Sequence, residues 1–348
     1  MYGLDPHLDG HAGGVLHIPS NLGPEYVLND AHELSVYNHA QGGSSGSTVS
    51  ASSGQGSPSS TLVGPQNGLQ INLIWDASVK GASNWSAIEA AVVSAAQVYT
   101  TSFSNHVTIN IAVGLGEVAG SAMSSNALGQ SMSKGYLVGF SSLTHALGTA
   151  DAALVTSGQI SANAITAASS LASANFFVTS AQAKAIGLAS ANSTAIDGSI
   201  GLTQSPSALY FAANGGAIKS SQYDAIGVAA HEISEVLGRI GLEGSALNAS
   251  THAYTALDLF RYTSAHVADL SPSAGYFSTN LGVTNLANYN DPKNGGDAAD
   301  LASGTPTNAF NAFGTPGVIT QVTATDLLQL AVLGYHVAGT GKLTTINA

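Results

Sequence analysis

His231, Glu232 and Glu235 stand in the run DAIGVAAHEISEVLGRIG, residues 224–241. Their types and spacing are those of metal chemistry. A helix turns about 100° per residue, so residues four apart return to one face. His231 and Glu235 therefore project side by side and can grip one metal ion. Glu232 follows the first ligand by one residue, beside such an ion rather than under it. A carboxylate there can take a proton from a metal-bound water. The run is apolar nearly all round, which marks a buried helix whose carboxylates need partners. Read purely as structure, the same residues are two solvated carboxylates and a satisfied core histidine.

HEISEVLG resembles the HExxHxxG helix of the zincin metallopeptidases, with Glu235 in place of the second histidine. Its surroundings are similar to those in a group of secreted bacterial zincin-like proteases. They comprise an apolar helix before the motif, LDLFRY at residues 257–262 and TATDLLQLAVLGYHV at 323–337. The resemblance spans roughly residues 70–337, and only the helix motif is specific enough to carry residue roles. It implies an α/β (α+β) fold: a zincin-like metallopeptidase domain with a twisted mixed sheet packed on a buried metal-motif helix. It also implies that Glu232 is the general base and that His231 and Glu235 are ligands. Two departures stand out. The third metzincin ligand would fall on Gly241, which has no side chain. The methionines are Met1, Met123 and Met132, so no Met-turn follows the helix.

A catalytic zinc takes three protein ligands and leaves one open position. The third must come from the residues after the helix, among which His252, Asp258, His266, Asp297 and Asp300 are candidates. In the resembling proteases a ligand-bearing segment precedes the final helix. GGDAAD, residues 295–300, sits there, which favours Asp297. The resemblance implies zinc; a His-Glu-Asp set is harder than three histidines and would suit calcium or manganese better than usual, so calcium is also possible. Its two negative charges also stabilise a bound hydroxide less.

Charged residues make up only 8% of the 348, against about 25% in an ordinary soluble protein. The surface is therefore built from Ser, Thr, Asn, Gln and Gly. A formal charge of −12 disfavours nucleic acid and anionic membrane as partners. Cysteine is absent, which excludes disulfides and leaves His and carboxylate as metal ligands. No stretch is long and apolar enough to span a membrane, so no membrane insertion is expected. MYGLDPHLDG lacks the regions of a cleavable signal peptide. The composition resembles that of bacterial proteins exported by systems that read a C-terminal signal, and the expected location is extracellular.

Along the chain, residues 1–40 hold five of the eleven histidines and read as a flexible polar leader: a prosegment, an assembly arm or a metal-binding tail. Residues 41–68 read as a Gly/Ser linker. The zincin-like domain is placed at 69–338 and a tail at 339–348. LQINLIWD (69–76) and HVTINIAVG (106–114) alternate as strands around a helix from about Asn84 to Phe103. Residues 115–175 read as Ala- and Ser-rich helices. FFVTSAQAKAIGL (176–188) reads as a strand and short helix. Ser199–Thr203 and Leu209–Ala213 are candidates for the substrate-pairing strand of the resembling proteases. The motif helix is placed at about 222–238. Asp258 and Arg261 read as an internal ion pair. The Asx-Gly cluster NDPKNGGDAAD reads as turns, with calcium ligation the weaker alternative. TATDLLQLAVLGY reads as a capped helix ending at Gly334.

Two functions follow. One is a secreted metal-dependent peptidase acting on a protein or peptide substrate, with Glu232 as base. The other is a catalytically inactive zincin-like domain serving as an extracellular assembly or binding module, with self-association possible.

Overall fold

A computed structural model describes residues 22, 25–29, 34–36, 59–205, 207–248, 251–339 and 341–347. The chain's alternating strands form its centre. Strand β4 (Gln70–Trp75) buries Ile71, Leu73 and Trp75, and strand β5 (Thr108–Leu115) beside it is buried along nearly its whole length. They are parallel, joined by helix α1 (Ala77–Lys80) and the long helix α2 (Trp85–Ser102). Helix α2 turns Ile88, Ala91, Val92, Ala95, Val98 and Tyr99 inward, the stripe its 3.6-residue period requires.

The stretch expected to be helical, 115–175, begins instead with strands. A small hairpin, β6 (Glu117–Val118) and β7 (Ser121–Ala122), leads into an eleven-residue strand, β8 (Gly129–Gly139). Helices α3 (Phe140–Ala150) and α4 (Ala152–Thr156) follow only then. Strand β9 (Asn175–Thr179), helix α5 (Ser180–Ala185) and strand β10 (Gly198–Leu202) come next. Both β9 and β10 run antiparallel along the same side of β8. Strand β10 covers Gly129–Ser133 and β9 covers Gly135–Gly139. Strand β10 is also parallel to β5, which places it inside the sheet rather than at an edge.

The two ends of the domain differ from the expected boundaries. Strand β3 (Ser60–Val63) pairs with β4, so the sheet begins inside the stretch read as a linker. Residues 41–58 lie outside the described residues. The leader is not separate from the body: strand β1 (Glu25–Asn29) joins the main sheet on the other side of β8 and pairs with β2 (Leu34–Val36). In the tail, Ile346–Asn347 pairs with Gln321–Val322. Short apolar runs such as YVL reveal little until a non-local partner supplies the ladder.

The motif helix, α6 (Ala225–Val236), starts where the Asp224 carboxylate accepts from the Ile226 N–H. It ends before Gly238, whose φ of 118° suits a residue without a Cβ. One side packs on α2, where the Tyr99 hydroxyl donates to the Ala230 carbonyl at 2.5 Å. The other side lies on β8 and β10, and this contact explains the composition of β8. Its positions facing the helix are Gly129, Ser131 and Ser133, small enough to admit it. A Cβ at Gly129 would lie 2.4 Å from the Glu232 Oε1, and one at Gly198 would lie 2.7 Å from a Val236 methyl. Helix α7 (Ala324–Ala331), with a Thr323–Asp326 capping box, closes the layer. The architecture is thus α+β, a mixed sheet with the motif helix buried against it.

The close packing of α6 on β10 gives a first expectation. Gly198→Ala should overpack the contact and destabilise the domain by about 1–3 kcal/mol in chemical denaturation. An unchanged midpoint would show that the helix does not rest on this strand.

Candidate metal centre

Helix periodicity brings His231 and Glu235 together as expected, with His231 Nε2 3.2 Å from Glu235 Oε1. The third member is Asp300, whose Oδ1 lies 3.1 Å from the same Nε2. One ligand atom from each of the three lies within 4.8 Å of the others. Asp297, the favoured candidate, is not among them. Its backbone carbonyl accepts from the Asp300 N–H at 3.3 Å and from Asn290 Nδ2 at 3.3 Å, so it shapes the turn that presents Asp300. Two aspartates three residues apart in one turn cannot be told apart by spacing. Glu232 is also not among the three. It is buried on the sheet side of α6 against Gly129.

The remaining candidates lie elsewhere. His252 is exposed, with Nδ1 2.9 Å from the Gly244 carbonyl, and His266 is exposed. Asp258 Oδ2 accepts the N–H groups of Leu242, Glu243 and Thr255. It is not the direct partner expected for Arg261, which pairs with Glu243 and with Asp269. In the Asx-Gly cluster, Asn290 and Asn294 exchange side-chain amide hydrogen bonds, as turn residues do.

Arg239, which the sequence offers only as a possible hydrogen-bond partner of the motif and not as a member of the site, is fully buried. Its guanidinium donates to Asp300 Oδ1 at 2.8 Å and to Glu235 Oε1 at 3.2 Å. Its Nε donates to Ser234 Oγ at 2.7 Å and its Nη1 to the Ala299 carbonyl at 3.1 Å. The face of Phe310 lies 4.4 Å from the guanidinium carbon. Arg261 donates to the neighbouring Ala298 carbonyl at 2.7 Å. Two buried arginines thus hold consecutive carbonyls of the turn that carries Asp300. The available signal was the i,i+4 spacing from Glu235 to Arg239.

The imidazole is oriented as well. His231 Nδ1 lies 2.8 Å from the Ala309 carbonyl, an acceptor, so Nδ1 carries a proton. That leaves Nε2 facing two carboxylate oxygens, and only a proton or a cation there makes the arrangement favourable. Glu235 Oε2 accepts from Ser131 Oγ of β8 at 2.7 Å.

Without a metal the group balances when His231 is protonated, with two carboxylates against two cations. Burial pulls the His231 pKa down and Arg239 adds to this, but the Asp300 and Glu235 carboxylates together prevail and the net value lies well above the ordinary one. Burial likewise opposes ionisation of Asp300, yet His231 and Arg239 hold its carboxyl down to about 2. Glu235 is also lowered: burial acts against this, and its hydrogen bond with His231 and the two cations prevail.

The donor set also fits a divalent cation. One imidazole nitrogen and two carboxylate oxygens converge, and the other ring nitrogen is anchored on a carbonyl as in metal-bound histidines. Arg239 offsets one of the two carboxylate charges. The set then carries a net charge of about −1, the same as a His-His-Glu zinc site. Compared with known proteins, the chain matches no family model, no curated protein and no solved structure. Among the described residues, no helix is long and apolar enough to cross a membrane.

Two outcomes follow for the metal-free protein. Arg239→Met removes one partner of a buried network and should cost about 3–5 kcal/mol of stability. Excess divalent metal should restore part of that loss by binding the folded state. A neutral effect would show that Arg239 does not organise the carboxylates.

The pH dependence has two sides. The lowered carboxylates stabilise above their unfolded pKa of about 4, and that contribution is lost as pH falls through the folded values. The raised histidine stabilises below its unfolded pKa of about 6.5, and that contribution is lost as pH rises through its folded value. Thermal melting without metal should therefore show this cluster's contribution greatest between roughly pH 4 and 6.5. A His231→Gln variant should flatten the alkaline side, and an unchanged alkaline profile would contradict the assignment.

Proposed function

We propose that the chain is a secreted metal-dependent peptidase of zincin-like design, with His231, Glu235 and Asp300 as metal ligands. The observation that carries this reading is the convergence of His231 Nε2, Glu235 Oε1 and Asp300 Oδ1. Zinc is the ion of the zincin-like reading, and an ion bound there would supply Lewis-acid polarisation of a substrate carbonyl.

The chain's own residues supply the rest. The Ala309 carbonyl fixes the tautomer of His231, and Ser131 fixes the rotamer of Glu235. Arg239 holds both carboxylates in place and cancels one of their charges. Glu232 occupies the sequence position of a base beside the ligands, with its carboxylate against Gly129 at the start of β8. The substrate is an extended peptide. Ser199–Thr203 is not free to pair with it, since β10 is interior, whereas Leu209–Tyr210 pairs with Tyr223–Asp224 in a separate two-stranded sheet.

A second reading is supported by Arg239. Because the guanidinium engages both carboxylates and a protonated His231 supplies the second cation, the cluster is charge-balanced without metal and can serve as a structural lock in an inactive extracellular module.

Elemental analysis and peptide hydrolysis by purified protein separate the two readings. The peptidase reading expects about one zinc per chain and cleavage of an unstructured protein substrate. Glu232→Gln should lower kcat by about 10²–10⁴-fold with metal retained, whereas Asp300→Asn should release the metal. Metal-free protein without hydrolytic activity would leave the structural reading in place.

A further inference from the structure

A second buried ionic network stands behind the turn that carries Asp300. Arg261, Glu243, Asp258 and Asp269 are each no more than 2% exposed. The guanidinium is engaged at every nitrogen. Nε donates to Asp269 Oδ2 at 3.0 Å and meets Glu243 Oε1. Nη2 donates to the Ser273 carbonyl, and Nη1 donates to the Ala298 carbonyl at 2.7 Å. The ring of Tyr289 lies 4.5 Å from the guanidinium carbon, and Ser273 Oγ donates to Asp269. Most of these contacts fasten the arginine itself. The one to Ala298 fastens a carbonyl two residues before the third metal ligand.

The network holds more acid than charge balance needs. Burial pushes the Glu243 carboxyl up to about 8; Arg261 opposes this, and Asp258 and Asp269 add to it. Near pH 7 Glu243 is therefore largely neutral, and Asp269 supplies the charge opposite Arg261.

The same network reaches the other side of the turn. Glu243 follows Arg239 by four residues, so one short strap, residues 239–243, carries both the arginine that grips the ligands and the carboxyl that meets Arg261. Asp258 Oδ2 fixes the strap by accepting the N–H groups of Leu242 at 3.2 Å and Glu243 at 2.9 Å. Between them and Arg239, Gly241 lies against the turn. A Cβ there would be 3.3 Å from the Ala299 nitrogen and 3.5 Å from Asp258 Oδ1.

We propose that Arg261 is a positioning residue for the metal ligand Asp300, and that Gly241 sets the opposite face of the same turn. The inference rests on the metal-centre reading given above. Residues 297–300 belong to no helix or strand, so no ladder fixes their carbonyls. Arg261 and Arg239 take that role at Ala298 and Ala299. A shift of the Ala298 carbonyl carries the Asp300 carboxylate with it, away from His231 Nε2. Groups that orient a ligand from outside typically contribute about 10–100-fold in metal affinity.

The test uses the metal-free full-length protein, titrated with zinc near pH 7 in competition with a chromophoric chelator. Arg261→Lys keeps a cation opposite Asp269, but its one nitrogen cannot reach Asp269, Ser273 and Ala298 together. Folded Arg261→Lys should bind zinc about 10–100-fold more weakly than the parent. Its cobalt(II) form should also show an altered visible spectrum. A purely structural role would lower the denaturation midpoint and leave the affinity and spectrum of the folded molecules unchanged. Gly241→Ala should weaken zinc binding in the same direction, and it decides the question if Arg261→Lys fails to fold.

Parent-like zinc affinity in folded Arg261→Lys, or in Gly241→Ala where the lysine variant does not fold, overturns the inference and leaves the metal reading intact. Weakened binding with no hydrolysis of an unstructured protein by any form supports the inference and counts against the peptidase reading alone. A parent that binds no zinc overturns the inference and the metal reading together.

Discussion

The Arg239 guanidinium, buried between the carboxylates of Glu235 and Asp300, is the interaction on which the site depends. Two carboxylates brought together in the interior repel each other and lose their hydration. A permanent cation between them makes the pair tolerable and fixes their rotamers. It also sets the local charge. Without Arg239 the ligand set would carry two negative charges; with it the net is about −1, suited to a divalent ion that must stay electrophilic. The arginine itself is held through Ser234, the Ala299 carbonyl and the face of Phe310, so its position follows from the packing of the whole layer.

The second constraint is the close approach of the motif helix to β8. Ser131 and Ser133 donate to Glu235, the first to its carboxylate and the second to its carbonyl, and Gly129 leaves room for Glu232. These small residues place the helix against the sheet at a distance no larger side chain would permit. The convergence of His231, Glu235 and Asp300 is in this way tied to one packing contact between helix and strand.

What the sequence shows and what it hides follow from the range of the interactions. The β4–α2–β5 opening is legible because alternation and helical period are local and each face is buried against the core. The capping box of α7 and the pairing of His231 with Glu235 are likewise set within one turn. Strand β8 is not legible, because its inward residues are Gly and Ser, chosen for a helix about a hundred positions away rather than for hydrophobic burial. Strand β1 is short and gains its ladder only from a partner far along the chain. Asp300 and Asp297 share a turn, and the choice between them is made by Arg239 and Arg261, which hold the carbonyls of Ala299 and Ala298. Those contacts join segments some 40–60 residues apart, beyond what spacing reveals.

The most direct test of the metal centre is isothermal titration of the metal-free protein with zinc near pH 6 in two buffers of different ionisation enthalpy. His231 is charged in that protein and must lose the Nε2 proton to become a ligand. The account requires about one proton released per ion bound, with both binding and release lost in Asp300→Asn. Binding without proton release, binding unchanged in Asp300→Asn, or no binding at all would contradict it.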